Sequence, residues 1–518
     1  MALNMADLFE HAADAFPDRT AVIVGDRRLT YRELESEANR LAHHLAGHGV
    51  GRDDHVGLYA RNSVEAVATI LAAFKLRAAV ININYRYLHN ELAYLLSDAD
   101  LAALVYDSDL APVVGQTVPA SMPTMAIGGT YGEIVAAASP QRDFAERSAD
   151  DLFFIYTGGT TGQPKGVMWR HEDIWRTLAG GIDFITGEPL PDEWAQSRKG
   201  AESGGMVRLA AAPLIHGNAM VATLASLFAG DTIVLLRKFD AHAVWDAVQR
   251  HRVNVLVIIG DAMARPLIDA LGEEEYDTSS LWSFSSSASL FSKTVREAAA
   301  AALPGVMITD AIGSSETGFA GIAFISAGDE HKGGPTVNAG PDVIVIDDDG
   351  NVCGPGQTGR LGRGGHIPLG YWKDPDKTAA LFVEVDGKRY TVPGDWARVE
   401  EDGTITMLGR GNTCVNTGGE KVFPEEVENA LKSHPDVFDA LVVGVPDARL
   451  GQRVAALLQL APGAAVDLAG IEAHVRAQIA GYKVPRSVWV VDEIGRTVSG
   501  KADYRWAQEY TSKHPETA

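Results

Sequence analysis

The sequence predicts an α/β protein: a large N-terminal domain of covered sheets and helices, followed by a small α+β C-terminal domain. Two observations carry this. Short, continuous apolar runs alternate with helical patterns through the first part of the chain, and a strand apolar on both sides belongs to a sheet covered on both faces. After Gly409 the texture changes, and a short helix–strand–strand–helix–strand series follows.

The elements follow in order. Predicted strands 20–24 and 28–30 flank a Gly25-Asp26 hairpin signal. Thr30 and Glu33 form a capping box for a helix that Gly49 closes. An apolar strand at 56–60 leads into a helix over 64–76, and the rhythm returns with strands at 101–106, 152–156, 232–236 and 253–259. Beyond Gly409-Arg410-Gly411-Asn412, a glycine-rich junction that can bend, a helix starts near Pro424. Strands at 440–445 and 454–460, a helix over 467–480 and a strand at 488–491 complete a small domain. The expected boundary divides the chain into 1–410 and 411–518.

Composition narrows the function. A chain of 518 residues, 46% apolar and 22% charged, can bury a large core. Acidic residues outnumber basic ones by 68 to 45, a net charge of -23, which argues against a nucleic-acid partner. It does not argue against ATP, because a few local cations outweigh a diffuse, screened field. Two cysteines, Cys353 and Cys414, provide neither a disulfide framework nor a cysteine-rich metal site, and a reducing cytoplasm is the expected location. Asp7 and Glu10 interrupt any signal-peptide pattern. Residues 209–230 are uncharged, but Pro213, His216, Gly217, Asn218 and Thr223 break them, so no transmembrane segment is expected. Peripheral membrane contact and homo-oligomer formation stay open.

The strongest chemical signal is Tyr156-Thr157-Gly158-Gly159-Thr160-Thr161-Gly162-Gln163-Pro164-Lys165-Gly166, directly after an apolar strand. Its glycines allow successive amides to converge on an anion, the threonines add hydroxyl donors, and Lys165 adds a point charge. Glycine and threonine richness alone also describes a solvated surface loop. A Walker A loop is excluded, since no Gly-Lys-Ser/Thr triplet follows.

The segment resembles the phosphate loop of the adenylate-forming enzymes: acyl-CoA synthetases, luciferases and adenylation domains. Gly158 stands where that family usually has serine. Further segments resemble the family in the same order over nearly the whole chain. Gly313-Ser314-Ser315-Glu316-Thr317 matches the segment whose glutamate holds Mg²⁺, with Ser315 in place of threonine. Asp310 matches a position that reaches the adenine amino group, and Ile312 replaces the usual stacking aromatic. Val392-Pro393-Gly394-Asp395 is similar to the ribose-binding segment, with Asp395 retained. Arg410 matches a ribose or phosphate contact, Gly418 and Gly419 the glycines lining the pantetheine tunnel, and Asn412 the hinge of a mobile C-terminal domain. Gly495-Arg496-Thr497-Val498-Ser499-Gly500-Lys501 resembles the segment carrying the family's catalytic lysine.

The resemblance implies an ATP-dependent, Mg²⁺-assisted ligase: a carboxylic acid becomes an acyl-adenylate and is then transferred to coenzyme A. Attack of a carboxylate on the α-phosphorus brings two anions together, so charge must be neutralised. Lys501, Glu316 and Thr157 are the expected catalytic groups. His216 and Gly217 are expected to border the acyl pocket. His171 and its neighbours, with the segment 181–208, look most like actinobacterial synthetases for fatty acids or steroid side chains. Small residues Gly217, Ala219 and Ala222 suit a bulky acyl chain. Rival readings are an acyl-AMP ligase loading a carrier protein, an inactive acyl- or nucleotide-binding protein, and a luciferase-like oxygenase. Neither His44 with His48, lacking a third ligand, nor Gly362-Arg363-Gly364, lacking a following helix, supports a second site.

Overall fold

A computed structural model of the chain describes residues 4–158, 164–183, 187–289, 291–325, 335–340, 342–411, 413–417, 420–447, 449–497 and 501–517. Its backbone is a long twisted sheet with helices against it, a smaller parallel sheet, a three-stranded piece and a separate C-terminal sheet. The long sheet holds the strands Thr20–Val24, Thr232–Leu235, Val207–Ala210, Val255–Ile258, Ser283–Ser287 and Met307–Ser314 in that spatial order, all parallel. Met307–Ser314 then turns back on Gly318–Ile325, and the sheet continues antiparallel toward Ile405–Arg410 and Asp395–Val399. In parallel α/β sheets ligands gather beyond the carboxyl ends of the strands, and the functional segments lie there.

The expected amino-terminal elements form where their local chemistry places them. Thr20–Val24 pairs antiparallel with Arg27–Thr30. The helix Tyr31–Gly47 starts on a complete capping box: the Glu33 amide donates to Thr30 Oγ1 at 3.3 Å, and the Thr30 amide donates to Glu33 Oε2 at 2.8 Å. The uncharged stretch divides into the end of strand Val207–Ala210 and the helix Gly217–Ala229, and among the described residues no helix is long and apolar enough to cross a membrane.

Two expectations are corrected. The helix expected over 467–480 is Leu468–Arg476; just beyond it the Gln478 amide bonds back only three residues, to the Val475 carbonyl at 3.0 Å, and its side-chain Nε2 donates to Ser433 Oγ at 2.8 Å. The antiparallel part of the long sheet was not anticipated. Its strands, such as Thr358–Arg363 and Lys388–Thr391, are short and polar on their outer faces, so no apolar run marks them.

The apolar interior is divided. Two large clusters fill the first part, and smaller ones lie against the antiparallel strands. Residues 415–507 form their own two, centred on Val442, Ala456 and Val475 and on Leu457 and Trp489.

The helix Met5–Ala15 is tied to the interior by polar contacts. Asn4 Oδ1 accepts from the Ala6 amide at 2.7 Å and its Nδ2 donates to Asp151 at 2.8 Å, while the Met5 amide donates to His171 Nδ1 at 3.1 Å. Fully buried against Phe74, His171 is pushed down from 6.5 to about 4, by burial first, partly offset by the Asp151 carboxylate. Its place is thus structural, not in the acyl site.

This gives a pH test with a defined sign. Because the folded pKa lies below the unfolded value, the unfolded chain takes up the extra proton first as pH falls. Stability is full above 6.5 and drains away toward pH 4. Between pH 7 and pH 5 the wild type should lose on the order of 2 kcal/mol more than His171→Asn, whose side-chain oxygen can still accept the Met5 amide. Denaturant titrations at the two pH values measure the difference, and parallel losses would refute it.

Candidate active site

The described residues that flank the expected phosphate loop form two strands: Leu152–Gly158 pairs with Pro164–Arg170, and Thr157 faces Lys165 in register. Gly159, Thr160, Thr161 and Gly162 lie outside the described residues, as do the side chains of Thr157 and Gly158. Lys165 is half-buried, and its ammonium sits 5.9 Å from the centre of the Tyr371 ring. Partial burial and the neighbouring Lys377 lower its pKa, while Asp374 and Glu316 oppose them.

Glu316 stands in the turn between Met307–Ser314 and Gly318–Ile325. Ser314 Oγ accepts from the amides of Glu316 at 3.3 Å and Thr317 at 3.1 Å, and the Ser314 amide donates to Thr317 Oγ1 at 2.9 Å. Two aromatic side chains fix the turn from the hairpin side. Trp169 Nε1 donates to the Ser315 carbonyl at 2.9 Å, and the Tyr371 hydroxyl donates to Glu316 Oε1 at 2.9 Å. Gly370–Tyr371 itself pairs with Pro164–Arg170, so Lys165 and Glu316 converge on one aromatic ring. Gly313 is required here, because a Cβ would come within 2.1 Å of the Gly318 carbonyl oxygen.

Asp310 lies deeper in the same strand, 3% exposed, and burial raises its pKa to about 7, with Arg296 opposing and Asp261 adding. A buried acceptor at this depth fits an amino donor such as that of adenine. Ile312, half-buried, packs against Ala320, Val345 and Ala397 on the antiparallel side. Asp395 opens the strand Asp395–Val399 and faces Arg410 in register, directly after Gly394 at φ +101°. The Arg410 side chain, Asn412, Gly418 and Gly419 lie outside the described residues.

His216 precedes the helix Gly217–Ala229 and does not cap it with its side chain. Burial, then the positive charges of Lys501 and Arg86, push it down to about 4, so it is neutral at working pH. Lys501 is held by Thr497: the Lys501 amide donates to Thr497 Oγ1 at 3.1 Å, and the Thr497 amide donates to the Lys501 carbonyl at 2.8 Å. Gly217 packs on Ile155, and Ala219 is wholly buried. Ala222 remains half-buried on the same helix.

The structure therefore brings Lys165 and Glu316 together on Tyr371, with Asp310 farther back in the strand that leads to the Glu316 turn. Sequence reasoning missed Tyr371, Trp169 and the Asn218–Ser287 hydrogen bond that joins the helix start to a strand end. Gly370-Tyr371-Trp372 was the available signal for the first, an aromatic pair at a glycine turn. Among the described residues no group of three His, Cys, Asp or Glu side chains could hold a metal. A Mg²⁺ ion at Glu316 would take its remaining oxygens from nucleotide phosphates and water, its usual habit.

Residues 9–372 match the AMP-binding enzyme family, and residues 426–501 match the AMP-binding enzyme C-terminal domain. The chain is 51% identical to 3-oxocholest-4-en-26-oate–CoA ligase of Rhodococcus rhodochrous, over 99% of this chain and 97% of that one. It is 52% identical to a Mycobacterium tuberculosis protein named medium/long-chain-fatty-acid–CoA/3-oxocholest-4-en-26-oate–CoA ligase, with the same coverage. The ATP-bound crystal structure of MatB from Rhodopseudomonas palustris, 27% identical, superposes with a TM-score of 0.85, and each chain is covered to 99%. Apo MatB, at the same identity and coverage, gives 0.76. From the phosphate hairpin to the C-terminal lysine, the chain belongs to the AMP-binding enzyme family.

Proposed function

We propose that this enzyme is an AMP-forming acyl-CoA synthetase for long-chain, bulky or steroid side-chain carboxylic acids. The observation that carries the reading is the convergence of Lys165 and Glu316 on Tyr371. The names of the relatives, both acid–CoA ligases, support the substrate class.

The chemistry follows from charge. A carboxylate is a poor acyl donor because oxide is a poor leaving group, so its oxygen first attacks the α-phosphorus of ATP and pyrophosphate departs. Asp310 receives the adenine amino group, Asp395 the ribose hydroxyls, and Arg410 the ribose or phosphate. The amides and hydroxyls of 157–162, with Lys165, surround the phosphates. Mg²⁺, held by Glu316 with Tyr371 orienting the carboxylate, would supply positive charge on the phosphate oxygens. Lys501 meets the charge that builds on the oxygens in the transition state. Neutral His216 contributes no competing cation at the acyl end.

Coenzyme A's thiol then attacks the adenylate carbonyl, and AMP leaves. That step builds charge on the carbonyl, away from the departing pyrophosphate, and does not call on Lys501. In this reading 1–410 and 411–518 are separate domains, Asn412 is the pivot between them, and Gly418 and Gly419 line the thiol's path. Neither Cys353 nor Cys414 is in a disulfide, which suits a cytoplasmic enzyme.

Two experiments test this. Incubation with Mg²⁺-ATP, coenzyme A and acids of graded size should release AMP and pyrophosphate and form a thioester. Turnover should favour bulky acids over acetate, with each added methylene changing kcat/KM by roughly 10- to 200-fold at most. ADP as product would overturn the reaction assignment, and transfer only to a carrier protein would favour the acyl-AMP ligase reading. Separately, Lys501→Ala should slow pyrophosphate release by about 10²- to 10³-fold while sparing thioester formation from prepared acyl-adenylate. Equal loss of both steps would remove Lys501 from its assigned role.

A further inference from the structure

Lys501 lies about 70 residues beyond the end of the helix Pro424–Lys432, yet a chain of ion pairs connects them. Lys432 closes that helix with its ammonium almost entirely buried. It lies 3.3 Å from Asp261 of the first part of the chain and 3.9 Å from Asp439 of its own part. Asp439 also accepts from the Arg496 guanidinium. Arg496 adjoins Thr497, which brackets the Lys501 backbone. The order Asp261, Lys432, Asp439, Arg496, Thr497, Lys501 is therefore continuous.

The far end of this chain is anchored firmly. Asp261 stands at the start of the helix Gly260–Glu273, and its other oxygen accepts from the Ser292 amide at 2.8 Å. Four residues on, and so on the same helix face, Arg265 covers the Phe438 ring at 4.8 Å. Thr294, from the next helix, donates to the Lys432 carbonyl at 3.2 Å. These contacts meet one patch of the C-terminal part, at the opposite end of the helix Pro424–Lys432 from Phe423, whose ring meets Trp396. Because the apolar clusters of 415–507 are their own, such polar contacts fix how that part sits on the first.

The structure assigns to Lys432 and Asp261 the role of positioning residues that hold the C-terminal part, and with it the Thr497–Lys501 pairing, docked on the first part. They touch no substrate. They support the adenylate-forming step and leave the thioester-forming step alone, a division that rests on the proposed acyl-CoA synthetase reaction. A buried ammonium between two carboxylates is suited to the task, since deleting one partner leaves a charge uncompensated and the docked pose disfavoured.

The test uses the full-length enzyme and both half-reactions. Single-turnover pyrophosphate release with acid and Mg²⁺-ATP reports the first step, and thioester formation from prepared acyl-adenylate reports the second. Lys432→Met should slow the first by about tenfold or more while leaving the second within about twofold, and Lys432→Arg should restore most of the loss. Asp261→Asn removes the same pair from the other side, and its amide oxygen can still accept the Ser292 amide. It should show the same split even if Lys432→Met fails to fold. Combining Lys432→Met with Asp261→Asn should cost little more than either alone, as expected for partners in one contact. Equal loss in both half-reactions, or no change in either, would overturn the assignment. Failure of the wild type to release pyrophosphate with any acid would instead overturn the reaction on which it rests.

Discussion

The close passage of backbone at Gly313 and Gly318 is the constraint on which the site depends. There the last parallel strand reverses into the first antiparallel one, with no room for a side chain at Gly313. Every group that the strand contributes takes its depth from that reversal. Asp310 sits inside the sheet, Ile312 turns toward the antiparallel face, and Glu316 emerges at the turn. Trp169 and Tyr371 then clamp the turn to the hairpin that bears Lys165. The turn and the hairpin are thus joined by one tight backbone crossing and two aromatic hydrogen bonds.

The electrostatics have the same local character. The chain is strongly acidic, yet Lys165 lies near a second cation, Lys377, beside Tyr371, and the charges of Lys501 and Arg86 bear on His216. Burial keeps the nearest histidine uncharged. Fixed cations in a partly desolvated site act strongly over a few ångströms, whereas the distributed surface charge is screened by salt.

Much of this could be read from residues alone, for physical reasons. The capping box at Thr30 and Glu33 is local chemistry, and it forms as written. The Glu316 turn needs particular residue types at fixed spacing, and its Ser314 and Thr317 hydroxyls hold it as local chemistry would. The antiparallel strands were hidden, since pairing rather than composition defines them. Tyr371 was hidden because its hydroxyl matters only once a distant strand brings it to Glu316. Lys432 reads in the sequence as an ordinary helix-ending lysine, and only the fold brings Asp261 to it. His171 shows the converse: it stood in a segment suggestive of substrate choice, but the fold spends it on anchoring the N-terminal helix.

The divided interior has a consequence for how such a chain can change over evolutionary time. A substitution that loosens the packing around Val442 or Trp489 perturbs a cluster containing no residue of the acyl or nucleotide half. The half that recognises the acid can therefore drift toward new side chains while the lysine-bearing half stays as it is, provided the few polar contacts between them are kept. Novelty in substrate and constancy in chemistry become separable traits, written in different stretches of one polypeptide.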